Sequence, residues 1–377
     1  MQSCDVLIVG AGPAGSSCAW KLARAGLDVL ILDRQRFPRD KVCGGWITPA
    51  VMEELQIDAS DYARGRVLQA ITGFRVSRLG DCQSEARYDR PVSFGIRRLE
   101  FDHFLVQRSG ARLLQETALT DLRRAGDAWM VNGQIRTPLV IGAGGHFCPV
   151  ARRLGSAPAR EAVVAAQEIE FAMDSAQLPE CSVDPEVPEL YFCGDMKGYG
   201  WTFRKGDYLN VGLGRLGNRS LAKHVAAFAA FLKENRRIPQ SVPSTLHGHA
   251  YLLYGYALRA PVHDGALLIG DAAGLAYAQS GEGIRPAVES GLLAADVILG
   301  TGGRYGRKNL EAYRRLLAAR FGEARRDWMF GIAGLLPQAW IGWIAGRLLA
   351  TDWFSRRVVI DRWFLHSHQG ALPNSNF

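Results

Sequence analysis

The sequence predicts an α/β protein: a Rossmann-like nucleotide-binding domain with an inserted, mainly antiparallel β-sheet domain, followed by a helical C-terminal region. Three observations support this fold class. Units of buried strand, glycine-rich turn and helix occur within residues 4–50, 95–155 and 260–300. β-rich stretches fill the gaps between these units, which is typical of an insertion. From Arg307 onward the pattern is helical.

The same pattern gives the expected domain boundaries, and a chain of 377 residues is long enough for two interleaved domains. We assign the nucleotide-binding domain to residues 1–70, 95–160 and 260–300. The remaining segments are the sheet domain, which we expect to bind substrate, at residues 71–94 and 161–259, and the helical region at residues 301–377.

The composition is that of a globular protein. Hydrophobic residues make up 48% and charged residues 22%, which excludes a disordered, collagen-like or disulfide-scaffold protein. The formal charge of +8 suits an anionic partner, but no Lys/Arg-rich block is present, so we expect no nucleic-acid partner. Seven cysteines without a CxxC pair, and an N-terminus without a basic signal region, favour a cytoplasmic location.

The first βαβ unit is predicted at residues 6–9 (strand), 13–25 (helix) and 28–32 (strand). Its GxGxxG turn gives a tight bend, an approach for a diphosphate, and close packing of helix on strand. The helix N-terminus adds free N–H groups and a partial positive charge. Asp33 ends the second strand, where a carboxylate can bind a ribose diol. The residues predicted to bind the dinucleotide here are Gly10, Gly12, Pro13, Ala14, Gly15, Asp33 and Arg34.

The rest of this domain follows in order. A polar loop precedes a short helix at 49–55, with Thr48 as its predicted N-cap and Pro49 at its first position. Short strands are expected within 65–95, a helix at 99–107, a meander at 117–136 and a buried strand at 138–142.

The sheet domain is predicted to be strand-rich from 162 to 256, with one amphipathic helix at 220–235. A second GxGxxG spacing begins at Gly212, but no second strand and no acid complete that βαβ unit. We interpret it as a strand end and turn, and expect no second nucleotide site there. The predicted apolar helix positions are Leu221, Val225, Phe228 and Leu232.

A third buried strand at 266–270 ends in Gly270 and Asp271, and Gly281, Gly283 and Ile284 then open a helix that runs to about residue 299. Asp271 could bind a ribityl or phosphate-linked hydroxyl. The helix N-terminus could direct its N–H groups at the pyrimidine edge of a flavin. A tight turn capped by Asp271 explains the glycines equally well.

These motifs together resemble the para-hydroxybenzoate hydroxylase-like FAD superfamily. The residues that carry this resemblance are the opening glycine turn, the Arg98-Leu-Glu-Phe101-Asp102 pattern and the late Gly-Asp segment. Within the superfamily the chain most resembles the geranylgeranyl reductase family, over about residues 4–300. The family blocks, in family order, are Lys41-Val-Cys43-Gly44-Gly45, Tyr199-Gly-Trp201-Thr-Phe203-Arg-Lys205 and Asn210-Val-Gly212-Leu-Gly214.

The resemblance implies an FAD-dependent oxidoreductase that reduces C=C bonds of a prenyl, isoprenoid or similar lipid by hydride transfer from N5 of the reduced flavin. The sheet would then form a hydrophobic tunnel. Tyr199, Trp201 and Phe203 alternate along one strand, so they face one side as a tunnel wall or as an ordinary core face. Cys43 and Gly44 would lie near the flavin ring, where the thiol could shape the pocket, assist protonation of the alkene, or be inert.

Two positions bear on the cofactor and its reduction. The resemblance implies that Arg98 reaches the FAD diphosphate, although a surface arginine at a helix start would look the same. Gly144-Gly145 stands where the superfamily usually has Asp-Gly. This departure puts NAD(P)H as the direct reductant in question, so the external electron donor is NAD(P)H or a redox protein.

Other functions fit parts of the pattern. A flavin monooxygenase acting through a C4a-hydroperoxide uses the same fold. A halogenase is less favoured because Trp201-Thr-Phe203 is half of the halogenase Trp-x-Trp-x-Ile-Pro motif, and a non-catalytic flavoprotein is the remaining alternative. We expect no metal site, because the histidine pairs at 247/249 and 366/368 lack carboxylate or cysteine companions.

The C-terminal region contains an apolar run at 328–346 in which Gln338 is the only conventional polar side chain. This run predicts one of three arrangements: a membrane span, helices on a membrane surface, or a buried cover over the tunnel. The tryptophans suited to an interface are Trp328, Trp340, Trp343, Trp353 and Trp363.

Overall fold

The computed structural model describes residues 1–156, 163–217, 220–256, 259–322 and 338–373. The strands, in chain order, are β1 (Gln2–Ser3), β2 (Val6–Val9), β3 (Val29–Leu32), β4 (Trp46–Ile47), β5 (Leu68–Ile71), β6 (Gly73–Arg78), β7 (Ser84–Arg87), β8 (Ser93–Ile96), β9 (Arg112–Leu114), β10 (Leu122–Ala125), β11 (Ala128–Val131), β12 (Ile135–Thr137), β13 (Leu139–Gly142), β14 (Val163–Ala172), β15 (Glu189–Phe192), β16 (Gly198–Lys205), β17 (Tyr208–Leu216), β18 (His247–Leu252), β19 (Val262–His263) and β20 (Ala266–Leu268).

The helices are α1 (Pro13–Arg24), α2 (Pro49–Glu54), α3 (Ala59–Ala63), α4 (Arg98–Arg108), α5 (Pro149–Arg153), α6 (Leu221–Glu234), α7 (Ile284–Gly300), α8 (Arg307–Phe321), α9 (Gln338–Leu349) and α10 (Asp352–Phe354). Short 3₁₀ turns lie at Leu178–Glu180 and Gly270–Ala272, and a π-helical segment lies at Ser355–Phe364.

A six-stranded sheet with the order β19-β20-β13-β2-β3-β9 contains the strands of the predicted nucleotide-binding segments. All its neighbouring strands are parallel except the edge pair β19-β20. The residues of β2 and β3 are all buried, as expected for parallel strands covered on both faces. Helices α1 and α7 pack closely together, and Gly291 of α7 has no room for a Cβ because one would lie 2.4 Å from the Ala14 carbonyl oxygen.

A seven-stranded sheet with the order β18-β14-β17-β16-β15-β6-β7 forms the second layer of the molecule. All its pairs are antiparallel except β15-β6, which is parallel. Helix α6 covers one face through Leu221, Val225, Phe228 and Leu232, as predicted. A Cβ on Gly200 would lie 2.6 Å from the Phe228 ring, so α6 lies on the face opposite to Trp201. The other face of the sheet remains for the site.

Two smaller sheets, β1-β12-β11-β10 and β4-β8-β5, complete the architecture. The predicted α/β fold class is confirmed, and the predicted meander and the helix after Arg98 are both present. Thr48 is the N-cap of α2 and Pro49 its first residue, as predicted, but the buried Thr48 hydroxyl makes no capping hydrogen bond. The second GxGxxG spacing also differs from expectation. Gly212 and Gly214 lie inside β17, not at its end, and the strand ends at Leu216.

The C-terminal region packs on both parts of the molecule. Helix α8 adds Leu310, Tyr313 and Leu317 to the core of the six-stranded sheet. The π-helical segment adds Val359 and Phe364 to a cluster on the seven-stranded sheet. The prediction that helix continues to the end is wrong for residues 365–373, which are described and are not helical. Within the described ranges, no helix combines the length and apolarity needed to cross a membrane, and residues 328–337 of the apolar run lie outside those ranges.

Candidate active site

The opening glycine turn is built as the motif requires, with a different reason at each glycine. Gly10 has φ +113°, and a Cβ there would lie 2.4 Å from the Ala143 carbonyl oxygen. A Cβ on Gly15 would lie 1.9 Å from the Gly10 carbonyl oxygen, so Gly15 permits helix to pack on strand. At Gly12 the nearest neighbour of an added Cβ is Arg39 at 3.6 Å. Gly12 therefore leaves space for a ligand beside the N-terminus of α1, which no side chain caps.

Asp33 at the end of β3 fixes the geometry of this turn. Its Oδ2 accepts a hydrogen bond from the Ala11 N–H at 2.8 Å, and its Oδ1 accepts one from the Gln35 N–H at 2.9 Å. Each oxygen retains a second lone pair, so a ribose hydroxyl can still donate to it. Arg34 is exposed and also lines the cavity beside Asp33. The ribose contact stays a prediction.

The second glycine-rich region faces this turn across the cavity. Gly270 (φ +58°) packs against α1, where its Cβ would lie 3.0 Å from the Cβ of Ala14. Gly281 (φ +68°) has no room for a side chain because of the Tyr251 hydroxyl. Gly283 is the N-cap of α7, and Glu282 Oε1 accepts a hydrogen bond from the Arg285 N–H at 3.3 Å. Gly283 and Ile284 line the cavity, so the positive end of the helix dipole lies beside it.

A cavity of about 590 Å³ connects the two glycine regions with the seven-stranded sheet. Of the predicted site residues, Gly15 and Gly270 do not line it, because both serve close backbone packing. The predicted residues that do line it are Gly10, Gly12, Pro13, Ala14, Asp33, Arg34, Cys43, Gly44, Arg98, Tyr199, Trp201, Phe203, Asp271, Gly281, Gly283 and Ile284.

Tyr199, Trp201 and Phe203 form one face of this cavity, which we call the aromatic wall. Trp201 lies across Gly212, where a Cβ would come within 2.3 Å of the indole, and its Nε1 donates to Asn210 Oδ1 at 2.7 Å. The ring of Phe203 covers Gly44. The glycines of β17 and of the 41–45 loop thus leave the flat surfaces on which these rings lie.

Sequence reasoning missed two aromatic residues that complete the wall. Trp46 stacks on Phe203 with ring centroids 6.0 Å apart. Phe364 meets Tyr199 edge-on at 5.3 Å and also lines the cavity. Phe364 is distant in sequence, so only the C-terminal packing reveals it. The π-helical segment therefore covers one side of the wall.

The Cys43 loop is held on the sheet by polar contacts. The Cys43 N–H donates to Glu168, and the Cys43 carbonyl oxygen accepts from Asn210 Nδ2 at 3.3 Å. Gly45 (φ +64°) has no space for a Cβ, which would lie 2.3 Å from the Ile96 carbonyl oxygen. Neither Glu168 nor Asn210 was predicted as a site residue. The available signal was a polar side chain at an alternating position of an otherwise apolar strand.

Basic groups concentrate where the loop meets the two glycine regions. Arg98 is buried and makes two hydrogen bonds of 2.8 Å to Asp102, so that carboxylate fixes its guanidinium beside the cavity. Lys41 Nζ lies 3.1 Å from His249 Nδ1, and burial lowers the pKa of Lys41 to about 8. Burial also raises the pKa of Asp271. The positive groups suit an anionic ligand segment; the contact of Arg98 with a diphosphate stays a prediction.

Comparisons with known proteins agree with this geometry. A family model described as an FAD binding domain matches residues 3–320. A menaquinone reductase from Mycobacterium tuberculosis is 31% identical over 328 residues, covering 79% of this chain and 77% of that protein. A digeranylgeranylglycerophospholipid reductase from Methanothrix thermoacetophila is 30% identical over 347 residues, covering 83% and 82%.

Among solved structures, a geranylgeranyl bacteriochlorophyll reductase-like protein from Thermoplasma acidophilum superposes with a TM-score of 0.74. It is 23% identical in sequence, and the match covers 96% of this chain and 91% of that one. The predicted resemblance and the predicted cofactor, FAD, are both confirmed.

Proposed function

This chain belongs to the FAD-binding-domain family and is an FAD-dependent oxidoreductase, and on that premise we propose that it reduces C=C bonds of a prenyl or similar lipid chain. The observation that carries the proposal is the continuity of the cavity. One space runs from the N-terminus of α1 to the aromatic wall, so a cofactor held at one end can meet an apolar chain at the other.

The residues present fit FAD. Gly12 and the uncapped N-terminus of α1 would hold the diphosphate, and Asp33 the ribose. The N-terminus of α7 at Gly283 would face the flavin end, with Asp271 nearby. Reduced FAD, when bound, supplies a hydride to an alkene carbon.

The chain itself would bind the lipid and exclude water. Tyr199, Trp201 and Phe203 line the cavity, and Phe364 packs edge-on against Tyr199 at one side. Such a surface binds an isoprenoid chain through apolar contact and holds its double bonds in place. The name of one relative, a digeranylgeranylglycerophospholipid reductase, supports a prenyl lipid as the substrate class.

Exposed apolar residues near the C-terminus support contact with a membrane surface. Trp343 is 58% exposed and Trp353 is 69% exposed, and Ile344 and Leu348 are exposed as well. Arg347 stacks on Trp343 and adds positive charge. Rings of this kind insert at the headgroup level while arginines attract anionic lipids. We therefore propose a cytoplasmic protein that docks on the membrane from which it takes its substrate.

An anaerobic reoxidation experiment tests the proposed reaction. Purified protein is loaded with FAD, reduced with dithionite, and mixed with a prenyl lipid or with its fully saturated counterpart of equal length. We expect the unsaturated lipid alone to reoxidise the flavin and to gain hydrogen. Reoxidation only in air, with oxygen incorporated into an aromatic substrate, would establish a monooxygenase and overturn the proposal. Repeating the reduction with NAD(P)H, and then with a reduced ferredoxin, identifies the class of electron donor.

A further inference from the structure

Glu168 occupies a central position on the cavity face of the seven-stranded sheet. It lies in the middle of β14, paired with Gly212 of β17, which in turn pairs with Trp201 of β16. Its side chain is 4% exposed and lines the main cavity. Because Gly212 has no side chain, the Trp201 indole and the Glu168 Cβ both approach this position, at 2.3 Å and 2.8 Å from where a Cβ would lie.

The Glu168 carboxyl is only half satisfied. Oε1 accepts the hydrogen bond from the Cys43 N–H, whereas Oε2 is buried without a hydrogen-bond partner. The nearby cations are engaged elsewhere, since Lys205 pairs with Glu170 at 2.6 Å and Arg98 pairs with Asp102. No ion pair of Glu168 occurs among the described residues. A buried carboxyl of this kind is stable when it carries a proton.

Glu168 also lines a second, much smaller pocket beside the Cys43 loop. This pocket has a volume of about 10 Å³, close to the space of one water molecule. Its lining includes Lys41 and Glu170, and the exposed residues Asp40 and His247 lie on its solvent side. A proton can therefore reach Glu168 from solvent without passing through the apolar cavity.

We propose that Glu168 is the proton donor of the reduction, a role that rests on the proposed function. One alkene carbon receives the hydride of the reduced cofactor, and the other receives the proton of the Glu168 carboxyl as the double bond becomes a single bond. Both electrons come from the reduced cofactor, which an external electron donor must reduce again. Glu168 is left as a carboxylate and regains its proton through the small pocket.

The surroundings of Glu168 support this role. Burial raises the pKa of Glu168 to about 7, against the opposing effects of the Cys43 hydrogen bond and of the nearby cations. A donor whose pKa lies near the working pH is protonated often enough to act and is regenerated quickly. The titratable or charged groups that face it from the adjoining elements are Asp40, Lys41, Cys43, Arg98, Glu170, Lys205 and His247.

Glu168→Gln tests the role because the amide oxygen can still accept from the Cys43 N–H while the acidic proton is lost. Glu234→Gln, at the exposed end of α6, is the matched control. In anaerobic single turnovers we expect Glu168→Gln to slow lipid-dependent flavin reoxidation by about 100-fold or more, with FAD affinity unchanged. By infrared difference spectroscopy of the cofactor-free protein, we expect one protonated-carboxyl band that titrates near pH 7 to vanish in this variant alone.

Three results would overturn the proposal. Reoxidation of Glu168→Gln within about threefold of the wild type would show that the carboxyl supplies no proton. An infrared carboxyl band unchanged by the substitution would show that Glu168 holds no proton near neutral pH. Loss of turnover in Cys43→Ala, with Glu168→Gln fully active, would assign the proton to the thiol. Failure of the wild type with every prenyl lipid would instead refute the proposed function itself.

Discussion

The buried Glu168 carboxyl predicts how the stability of the cofactor-free protein depends on pH. Burial raises the pKa of Glu168 from its ordinary 4.5 to about 7 in the folded protein. The folded state therefore holds this proton more tightly than the unfolded chain. The stabilisation is fully present below pH 4.5 and is lost as the pH rises through about 7.

Glu168→Gln isolates this contribution because it removes the ionisation and keeps the acceptor for the Cys43 N–H. A pKa gap of roughly 2.5 at about 1.36 kcal/mol per pH unit gives about 3 kcal/mol. Below about pH 4.5 we expect the unfolding free energies of the variant and the wild type to differ by a constant amount. By about pH 8.5 the unfolding free energy of the variant should have risen by about 3 kcal/mol relative to that of the wild type. Other buried acids, such as Glu282 and Glu54, titrate in both proteins, so their effects cancel in the difference.

The assay is urea unfolding of the cofactor-free protein, followed by circular dichroism from about pH 4 to about pH 8.5, with midpoints converted to free energies through a shared slope. Glu234→Gln, an exposed change of the same kind, serves as the matched control, and the gain of Glu168→Gln must exceed any pH-dependent difference that this control shows. A flat difference for Glu168→Gln as well would refute the reasoning, because Glu168 would then ionise alike in both states. If Glu168→Gln instead lost stability relative to the wild type as the pH rises, the reasoning would be refuted more strongly.

Three further predictions test other parts of the site. Gly12→Ala, whose new methyl meets only Arg39 at 3.6 Å, should leave the unfolding free energy within about 1 kcal/mol yet weaken FAD binding at least tenfold in a fluorescence titration, whereas Gly15→Ala should unfold far more easily. Phe364→Ala should cost about 3 kcal/mol of unfolding free energy, measured in urea, because the ring is 1% exposed and leaves a cavity; a loss below about 1 kcal/mol would contradict its packing role. Trp343→Ser with Trp353→Ser should abolish flotation with anionic liposomes without changing flavin absorbance, and unchanged flotation would exclude that surface.

Much of the nucleotide end could be predicted because its signals are local. The packing of Gly15 on Gly10 and the contact of Asp33 with Ala11 follow from neighbours within one βαβ unit, whereas the close approach at Gly10 involves Ala143, which follows β13. Sequence also placed Tyr199, Trp201 and Phe203 on one face, since strand alternation alone decides that. It did not decide between a tunnel wall and an ordinary core face, because both are apolar.

The tertiary structure decided what those residues meet. Glu168 and Cys43 are 125 positions apart, and Phe364 reaches Tyr199 from the far end of the chain; no periodicity encodes such contacts. Arg98 was predicted from its motif, but only the fold shows that Asp102 fixes its guanidinium. The sequence by itself determined the elements and the cofactor turn, because backbone conformation and strand alternation depend on near neighbours. The cavity, the carboxyl beside it and the C-terminal cover depend on how distant strands pack. Glu168 becomes buried only when those strands have packed, and this burial sets its proton affinity.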